Sequence, residues 1–508
     1  MKVTENLGKK FYYNLQNYRL VSNRKIGGQW TLIRLLGKGG NGEVWQCRNA
    51  KGEEFAIKFL KSAAKEPYSR FYDEVLFMES FGEISGVLPI IAKHIPPFKE
   101  RYKDKKTPFY YVMPLAQPIG KVIVNETVEK KISIVKSLLE MLVRLHKQGI
   151  AHRDIKPANI LLYQGQYVLS DFGLVFFNGK SSKTPPKISM GAKWTRSPQM
   201  ERDSLLADKF KSDVYAMAKT IWMIFSGDFT SFEGQYDPSS PVLSLNKFLQ
   251  GKYLTPLDAL LSRCTEHEEE KRPTAKELCD LFNDWDAINH DWDRENLLQW
   301  VEVQQKIFPL FEPDHCEWTD RERIIGILNV LCSYNNLNHL FFPDAGGLDL
   351  DGATISKEEG CIELKFGGMG YVVYPKRLCF ERISDDYQWN YFRLEAKALV
   401  SKSGKASSCY MEEYGEVTEQ NGIWRYVPLS DYDNMTREEV ELLKARHIVR
   451  VLRGSMVIFH KDSFYNIFVS KYQAEHEKMG AEVFRDNIRK LSQKFKGKTM
   501  AGIRKQRN

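Results

Sequence analysis

The sequence predicts an α+β protein in more than one part, and three features predict it. Strand-like alternation runs from Trp30 to Lys61, broken by turns rich in glycine and asparagine. Helical periodicity then takes over, most clearly from Glu129 to Lys147, and helical character continues to about Ala287. Beyond Pro313 short strand patterns return around glycine turns. The chain has 508 residues, and at about 100–200 residues per domain that length suits roughly two to four structural units.

Residues 1–26 read as a polar extension whose Phe11, Tyr12, Tyr13 and Tyr18 can pack on the body. Trp30–Leu36 and Val44–Arg48 are expected strands joined by a Gly-rich turn. Glu54–Leu60 is a third, after the hairpin signal Asn49-Ala50-Lys51-Gly52. A helix is expected from about Ser69, as its cap, to Ser80, with Gly82 as its stop. In the next helix Ile132, Val135, Leu138, Leu139, Leu142 and Leu145 recur on one face, and Gly149 ends it. Strands Ile160–Tyr163 and Tyr167–Ser170 flank the Gln164-Gly165 turn. A buried helix beginning near Asp213 carries Val214, Met217, Ile221, Trp222 and Ile224.

The expected domain layout is an extension over 1–26, a first domain over 27–287, a connecting helix and linker over 288–312, a second α+β domain over 313–483 and a basic tail over 484–508. In the second domain Ile362–Phe366 and Tyr371–Tyr374 read as strands around Gly367-Gly368-Met369-Gly370, and Trp389–Ala396 reads as another. The charged stretch Tyr410–Tyr414 reads as a loop. Thr436-Arg437-Glu438-Glu439 is a capping box that opens a helix ending near Gly454.

Apolar residues make up 43% and charged residues 27%, ordinary values for a chain that buries a full core. The net charge of +9 is uneven. From Phe484 to Asn508 there are nine Lys or Arg and one acid, Asp486, so 9 − 1 = +8 sits in the tail. The eight cysteines form no C-x-x-C pair, which argues against a zinc site or a disulfide framework and for a reducing compartment. The N-terminus has no apolar core of a signal peptide, and no apolar run reaches the length of a membrane span. A cytoplasmic location is the expectation.

Chemistry is concentrated in the first domain. Gly37-Lys38-Gly39-Gly40-Asn41-Gly42-Glu43-Val44 fits G-x-G-x-x-G-x-V, glycines that let backbone N–H groups approach phosphates closely. It lies between two strands, which argues against a dinucleotide-binding fold. Lys58, in Phe55-Ala56-Ile57-Lys58, is a cation inside an apolar strand and needs a partner, for which Glu74 on the following helix is the candidate. In His152-Arg153-Asp154-Ile155-Lys156-Pro157-Ala158-Asn159, Asp154 can accept a hydroxyl proton. Lys156 can neutralise charge on a transferring phosphoryl group, and Asn159 can hold a metal ion. Twelve residues on, Asp171-Phe172-Gly173 supplies a carboxylate for Mg²⁺. Each alone could be surface polarity; the ordered set carries the reading.

With these motifs, residues from about 27 to 285 resemble the eukaryotic-type serine/threonine protein kinases, including their soluble bacterial members. The resemblance implies a bilobal fold, a β-rich small lobe and a helical large lobe, with ATP and Mg²⁺ between them. It implies nucleotide contacts from Gly37, Gly39, Gly42, Val44, Ala56 and Lys58, with Glu74 pairing Lys58. It places Met113 at the gatekeeper position and the backbones of Pro114 and Ala116 against adenine. Catalytic roles fall to Asp154, Lys156 and Asn159, and metal binding to Asn159 and Asp171. Ser197-Pro198-Gln199 stands where the family has Ala-Pro-Glu, so pairing of Gln199 with Arg272 is expected to be weaker. Autophosphorylation is expected among Ser181–Ser189, near Arg153, and Thr195 is expected to contact the catalytic loop.

The implied activity is transfer of the ATP γ-phosphate to Ser/Thr hydroxyls of protein substrates. One alternative is an ATP-binding pseudokinase scaffold whose second domain is the working interaction module. Another is a kinase fold acting on a small molecule, which the Lys156-Pro157 pattern and the Gly-rich loop disfavour. No family is recognisable in residues 313–508. Asp349-Leu350-Asp351-Gly352 hints at a cation loop but lacks the full ligand pattern. The basic tail reads as a solvated helix with a frayed end, or, alternatively, as a contact for a polyanion.

Overall fold

The computed structural model describes residues 15–82, 84, 86–97, 107–177, 194–342, 346–385, 387–397, 411–418, 424–428, 436–438, 448–461, 463–465 and 479–498. The chain divides into two compact units, Met1–Ala287 and Ile288–Asn508.

The first unit opens with an antiparallel sheet built from β1 (Lys25–Ile26), β2 (Trp30–Lys38), β3 (Gly42–Arg48), β4 (Glu54–Leu60), β5 (Ala92–His94) and β6 (Tyr110–Pro114), in the order β1-β2-β3-β4-β6-β5. One face buries Trp30, Leu32, Ile57 and Val112 in a small core of its own. The other turns Ala56, Tyr111 and Met113 toward the main core. Between β4 and β5 runs α1 (Lys65–Phe81). It starts four residues before the expected Ser69, with Ala64 rather than a serine at its cap, and Gly82 closes it as expected. Pro67 fits inside the first turn, where a missing N–H costs nothing.

The large lobe starts with β7 (Gln117–Pro118), α2 (Ile119–Val122) and α3 (Val128–Lys147). Thr127 caps α3 through Lys130 N at 3.2 Å, and the expected apolar face is fully buried. β8 (Ile160–Tyr163) and β9 (Gln166–Leu169) form the expected hairpin, and β7 joins them in a three-stranded sheet. After α4 (Pro198–Arg202) comes α5 (Lys209–Ser226), four residues longer at its start than the sequence suggests. Asp208 caps it through Phe210 N and Lys211 N at 2.8 and 3.0 Å, and Gly227, at φ 74°, ends it. α5 is buried nearly all round and packs on α3 and on α6 (Thr255–Cys264) and α7 (Ala275–Ile288). Phe225, Phe282 and Trp285 form an aromatic cluster there. Burying side chains of this size stabilises by about 2–3 kcal/mol each, so this cluster is a main support of the lobe.

The second unit begins with α8 (Trp292–Ile307) in the segment expected to connect the two domains. Its Trp300, Val303 and Ile307 lie in the core of this unit. β10 (His315–Trp318), α9 (Arg321–Cys332), β11 (His339–Phe341), β12 (Gly347–Asp349), β13 (Gly352–Ile355), β14 (Ile362–Phe366), β15 (Met369–Glu381), β16 (Tyr391–Lys397), β17 (Met411–Thr418), β18 (Trp424–Pro428), β19 (Ile448–Leu452) and β20 (Gly454–Ile458) follow. Among the described residues these strands make one eleven-stranded mixed sheet. The 13-residue β15 is its hub. It pairs with β14 and β19 at one end and with β16 and β10 at the other, across a register shift between Pro375 and Arg377. Pro375 cannot donate to a ladder, which suits that irregularity.

Two expectations fail here. The stretch expected as a charged loop lies mostly in strand β17, which pairs with β18 and β19; its first residue, Tyr410, lies outside the described residues. The helix expected to reach Gly454 does not, because 448–452 is strand β19; residues 439–447 lie outside the described residues. The Asp349 loop is a turn between β12 and β13. Its carboxylate is held by His339 at 2.6 Å and Lys461 at 2.7 Å. Among the described residues no group of three or more His, Cys, Asp or Glu is placed to hold a metal. The tail carries α10 (Ala481–Lys494), which buries Phe484 and Ile488 and leaves Arg489, Lys490 and Lys494 exposed. No helix among the described residues is long and apolar enough to cross a membrane.

Candidate active site

A cavity of about 430 Å³ opens between the small-lobe sheet and the β8–β9 hairpin. Gly37, Gly39, Gly42 and Val44 border it from β2, β3 and their turn. Lys58 and Met113 line it from β4 and β6, and Lys156, Asn159 and Asp171 from the opposite side. The turn is tight: a Cβ on Gly42 would stand 2.7 Å from the Phe59 carbonyl, so only glycine fits. Lys61 donates to the Gly39 carbonyl, and Asn41 Nδ2 donates to the Pro67 carbonyl at 3.2 Å. The turn residue Asn41 thus ties the turn to α1.

Lys58 is the centre of the site. Its Nζ donates to both Glu74 oxygens at 2.7 and 2.8 Å and to Asp171 Oδ1 at 3.0 Å. Burial works against the lysine charge, but Asp171 and Glu74 outweigh it, and its pKa stands well above the ordinary value. The Lys58 charge in turn holds Asp171 below the usual carboxylate range, against the opposing effect of burial. Burial is the largest influence on Glu74 and raises its carboxyl, while Lys58 and a hydrogen bond from the Tyr111 hydroxyl at 2.8 Å pull the other way. Tyr111 was not singled out by the motifs. The signal that finds it is strand register: β6 runs antiparallel to β4 with Tyr111 opposite Lys58, so the two share a face.

The loop carrying Asp154 is fixed from beneath by Asp213 of α5, which is wholly buried. Its carboxylate accepts from His152 N and Arg153 N at 2.7 Å each and contacts His146 Nε2 at 3.1 Å. Asp154 Oδ2 accepts from Lys156 Nζ at 2.7 Å and from Asn159 Nδ2 at 3.0 Å. Asp154 Oδ1 is buried and has no hydrogen-bond partner among the described residues. Arg153 and Asp171 both hold left-handed backbone, φ 68° and 64°, a strained conformation for residues with a side chain. Phe172 anchors the second of these by packing between Phe77 of α1, at 4.5 Å, and His152, at 4.9 Å.

The expected site residues therefore come together, with distinctions among them. Ala56, Glu74, Pro114, Ala116 and Asp154 are not among the residues that line the cavity, although Asp154 accepts from Lys156 and Asn159, which do. Met78, Leu88 and Leu169 do line it, apolar positions that no polar motif marks. Arg272 donates to Gln199 Oε1 at 2.7 Å and also to the carbonyls of Glu266 and His267, and it lies over the Tyr215 ring. Ser181, Ser182, Thr184 and Ser189 lie outside the described residues. Thr195 is buried and, with Lys156, lines a second cavity beside the catalytic loop.

Comparison with known proteins agrees with this geometry. Residues 30–282 match the family described as the protein kinase domain. Serine/threonine-protein kinase A of Synechocystis is 28% identical over 283 residues, covering 50% of this chain and 52% of that protein. The Arabidopsis thaliana serine/threonine-protein kinase PEPKR2 is 27% identical over 284 residues, covering 53% and 54%. A G-type lectin S-receptor-like serine/threonine-protein kinase of Arabidopsis thaliana, CES101, is 29% identical over 204 residues, covering 38% and 23%. The chain spans at most about half the length of these curated relatives. The first unit belongs to the protein kinase domain family, with that family's fold, and a second, α+β unit follows it.

Proposed function

We propose that this chain is an ATP- and Mg²⁺-dependent serine/threonine protein kinase. The observation that carries the proposal is the Glu74–Lys58–Asp171 chain of charge, at 2.7 to 3.0 Å, on a glycine-bordered cavity lined on its far side by Lys156 and Asn159, the two side chains that donate to Asp154. The residues suit the nucleotide and the ion. Asp171 has one oxygen on Lys58 while its side chain stays 47% exposed, and Asn159 offers a second hard oxygen ligand. When bound by Asp171 and Asn159, Mg²⁺ supplies charge neutralisation on the phosphates.

The chain's own groups account for the rest. Gly37, Gly39 and Gly42 admit the phosphates against the backbone, and Lys58 holds them. Val44, Ala56 and Met113, with the backbones of Pro114 and Ala116, are assigned to the adenine. The substrate hydroxyl loses its proton to the Asp154 carboxylate. The hydroxyl oxygen bonds to the γ-phosphorus as the bond to the bridging oxygen breaks, leaving ADP. Lys156, already 2.7 Å from Asp154, offsets charge on the group in transit. Autophosphorylation among Ser181–Ser189 is the regulatory part of the proposal.

The test is incubation with labelled ATP, Mg²⁺ and a generic protein acceptor, followed by identification of the modified amino acids. Phosphoserine or phosphothreonine, lost on chelation of the metal and in Lys58→Met, is the expected result. Nucleotide binding with no transfer to any acceptor would replace this reading with that of a scaffold.

A further inference from the structure

Helix α10 of the second unit has two unlike faces. Its apolar face is taken up by the core. Phe484 packs against Tyr391 at 5.3 Å, Ile488 is buried beside it, and Phe495, just past the helix, lies against Trp389 at 5.8 Å and Phe464 at 5.2 Å. Arg485 ties the helix to β15 through Glu381. The outer face carries the acids Glu482 and Asp486 in its first half and is cationic from its middle onward. Residues 487–508 hold eight Lys or Arg and no Asp or Glu. Five of the eight, Arg489, Lys490, Lys494, Lys496 and Lys498, are among the described residues, and all five are exposed. Arg489 meets Asp486 at 3.8 Å in an exposed pair, and Lys498 lies over the Phe495 ring. Lys490, Lys494 and Lys496 have no acidic partner among the described residues. Lys490 and Lys494 stand four residues apart, a like-charge spacing that destabilises a helix.

We infer that this cationic half of α10, with the turn after it, binds duplex DNA through its phosphates. The inference stands apart from the kinase reading. The apolar anchors hold the helix in place, so its cations are presented with little left to order on contact. At 3.6 residues per turn, Lys490 and Lys494 fall about 40° apart on one flank, and Arg489 lies about 100° from Lys490 on the other. Cations on two flanks suit two rows of phosphate, as the walls of a B-form major groove present them about 12 Å apart, wide enough for a helix. The same groove of duplex RNA is too deep and narrow for side chains to read. A single strand is held by stacking its bases on aromatic rings, and Phe484 and Phe495 are both packed on the core. A lipid surface would take apolar side chains as well as charge, and Phe484, Ile488 and Leu491 are turned to the core. Each phosphate neutralised releases a condensed counterion, so affinity for the duplex falls steeply with salt.

Two variants of the full chain test this. Lys490→Gln, Lys494→Gln and Lys496→Gln combined remove three exposed charges and no buried group, and Lys→Arg at the same three positions keeps the charge. Binding is read by fluorescence anisotropy of a labelled DNA duplex of about 20 base pairs, between about 50 and 200 mM salt. The same single strand, a duplex RNA and vesicles of phosphatidylcholine with phosphatidylserine serve as the other probes. In the wild type the logarithm of affinity should fall with the logarithm of salt at a slope of about −3 to −5. The Gln variant should flatten that slope by about two to three and bind the duplex about ten- to a hundredfold more weakly at the lowest salt. The Arg variant should bind as the wild type does, and duplex DNA should be held more tightly than the other three probes. No binding of the duplex at the lowest salt, or an affinity and slope unchanged in the Gln variant, overturns the inference. Tighter binding of the single strand, the RNA or the vesicles overturns it in favour of that partner.

Discussion

Glu74 is wholly buried, and two donors hold its carboxylate: Lys58 and the hydroxyl of Tyr111. A buried carboxylate that loses one donor keeps its desolvation cost, about 1–3 kcal/mol for an unsatisfied group. Tyr111→Phe removes only the hydroxyl. It should loosen the Glu74–Lys58 pair and raise KM for ATP by about three- to tenfold, with the melting temperature changed by only a few degrees. Steady-state kinetics at varied ATP measures this; unchanged KM would mean that Lys58 alone suffices to fix Glu74. Gln199 teaches a related lesson. The sequence suggests a weakened contact to Arg272 because the charge is missing, yet the amide accepts from Arg272 at 2.7 Å and donates to the His267 carbonyl. A glutamate could not do the second. Arg272 also bonds two backbone carbonyls and covers a tyrosine ring, so its place does not depend on residue 199 alone.

At the scale of elements, α6 carries a carboxylate whose environment makes the large lobe sensitive to pH. Asp258 accepts from the Tyr236 hydroxyl at 2.7 Å, and burial raises its pKa to about 6, the hydrogen bond opposing. Its folded pKa thus exceeds the unfolded value of about 3.9. Between those values the folded state binds more protons than the unfolded, so this group's contribution to stability falls as pH rises from about 4 to about 6. Asp258→Asn keeps an acceptor for Tyr236 and removes the charge. The variant should gain melting temperature relative to wild type above pH 6 and converge with it near pH 4; a constant difference across that range would refute the assignment.

Elements also explain what the sequence could and could not reveal. The Gly37–Val44 turn, Lys58, Asp154–Asn159 and Asp171 are legible because phosphate and metal chemistry dictates residue types at short, fixed spacings. Helices α3 and α5 are legible because their apolar faces repeat locally; α3 starts within one residue of its expected start, and α5 starts one turn earlier than expected, since its cap Asp208 lies outside the apolar pattern. The sheet of the second unit is not legible in the same way. β11 pairs with β20, more than a hundred residues away, and β15 pairs in parallel with β19. Such partners leave no local signature. Glu412 and Glu413 made a strand look like a solvated loop, although their backbones pair with Val451 and Arg450.

The molecule as a whole consists of two units with separate cores. The first is centred on α3, α5 and the Trp285 cluster, and the second on Trp300, Phe380 and Phe392. Residues 1–287 expressed alone should therefore melt in one cooperative transition and retain nucleotide binding, and the full chain should show an additional calorimetric transition. Failure of the shorter protein to fold would mean that the first core requires the second.

The kinase reading depends most on Asp154 acting as a base while other groups hold the nucleotide. Nucleotide affinity and single-turnover phosphoryl transfer should be measured together in wild type and Asp154→Asn. The account predicts affinities within about twofold of each other and transfer slower by about 10²–10⁴ in the variant. Transfer at the same rate in both proteins would contradict it.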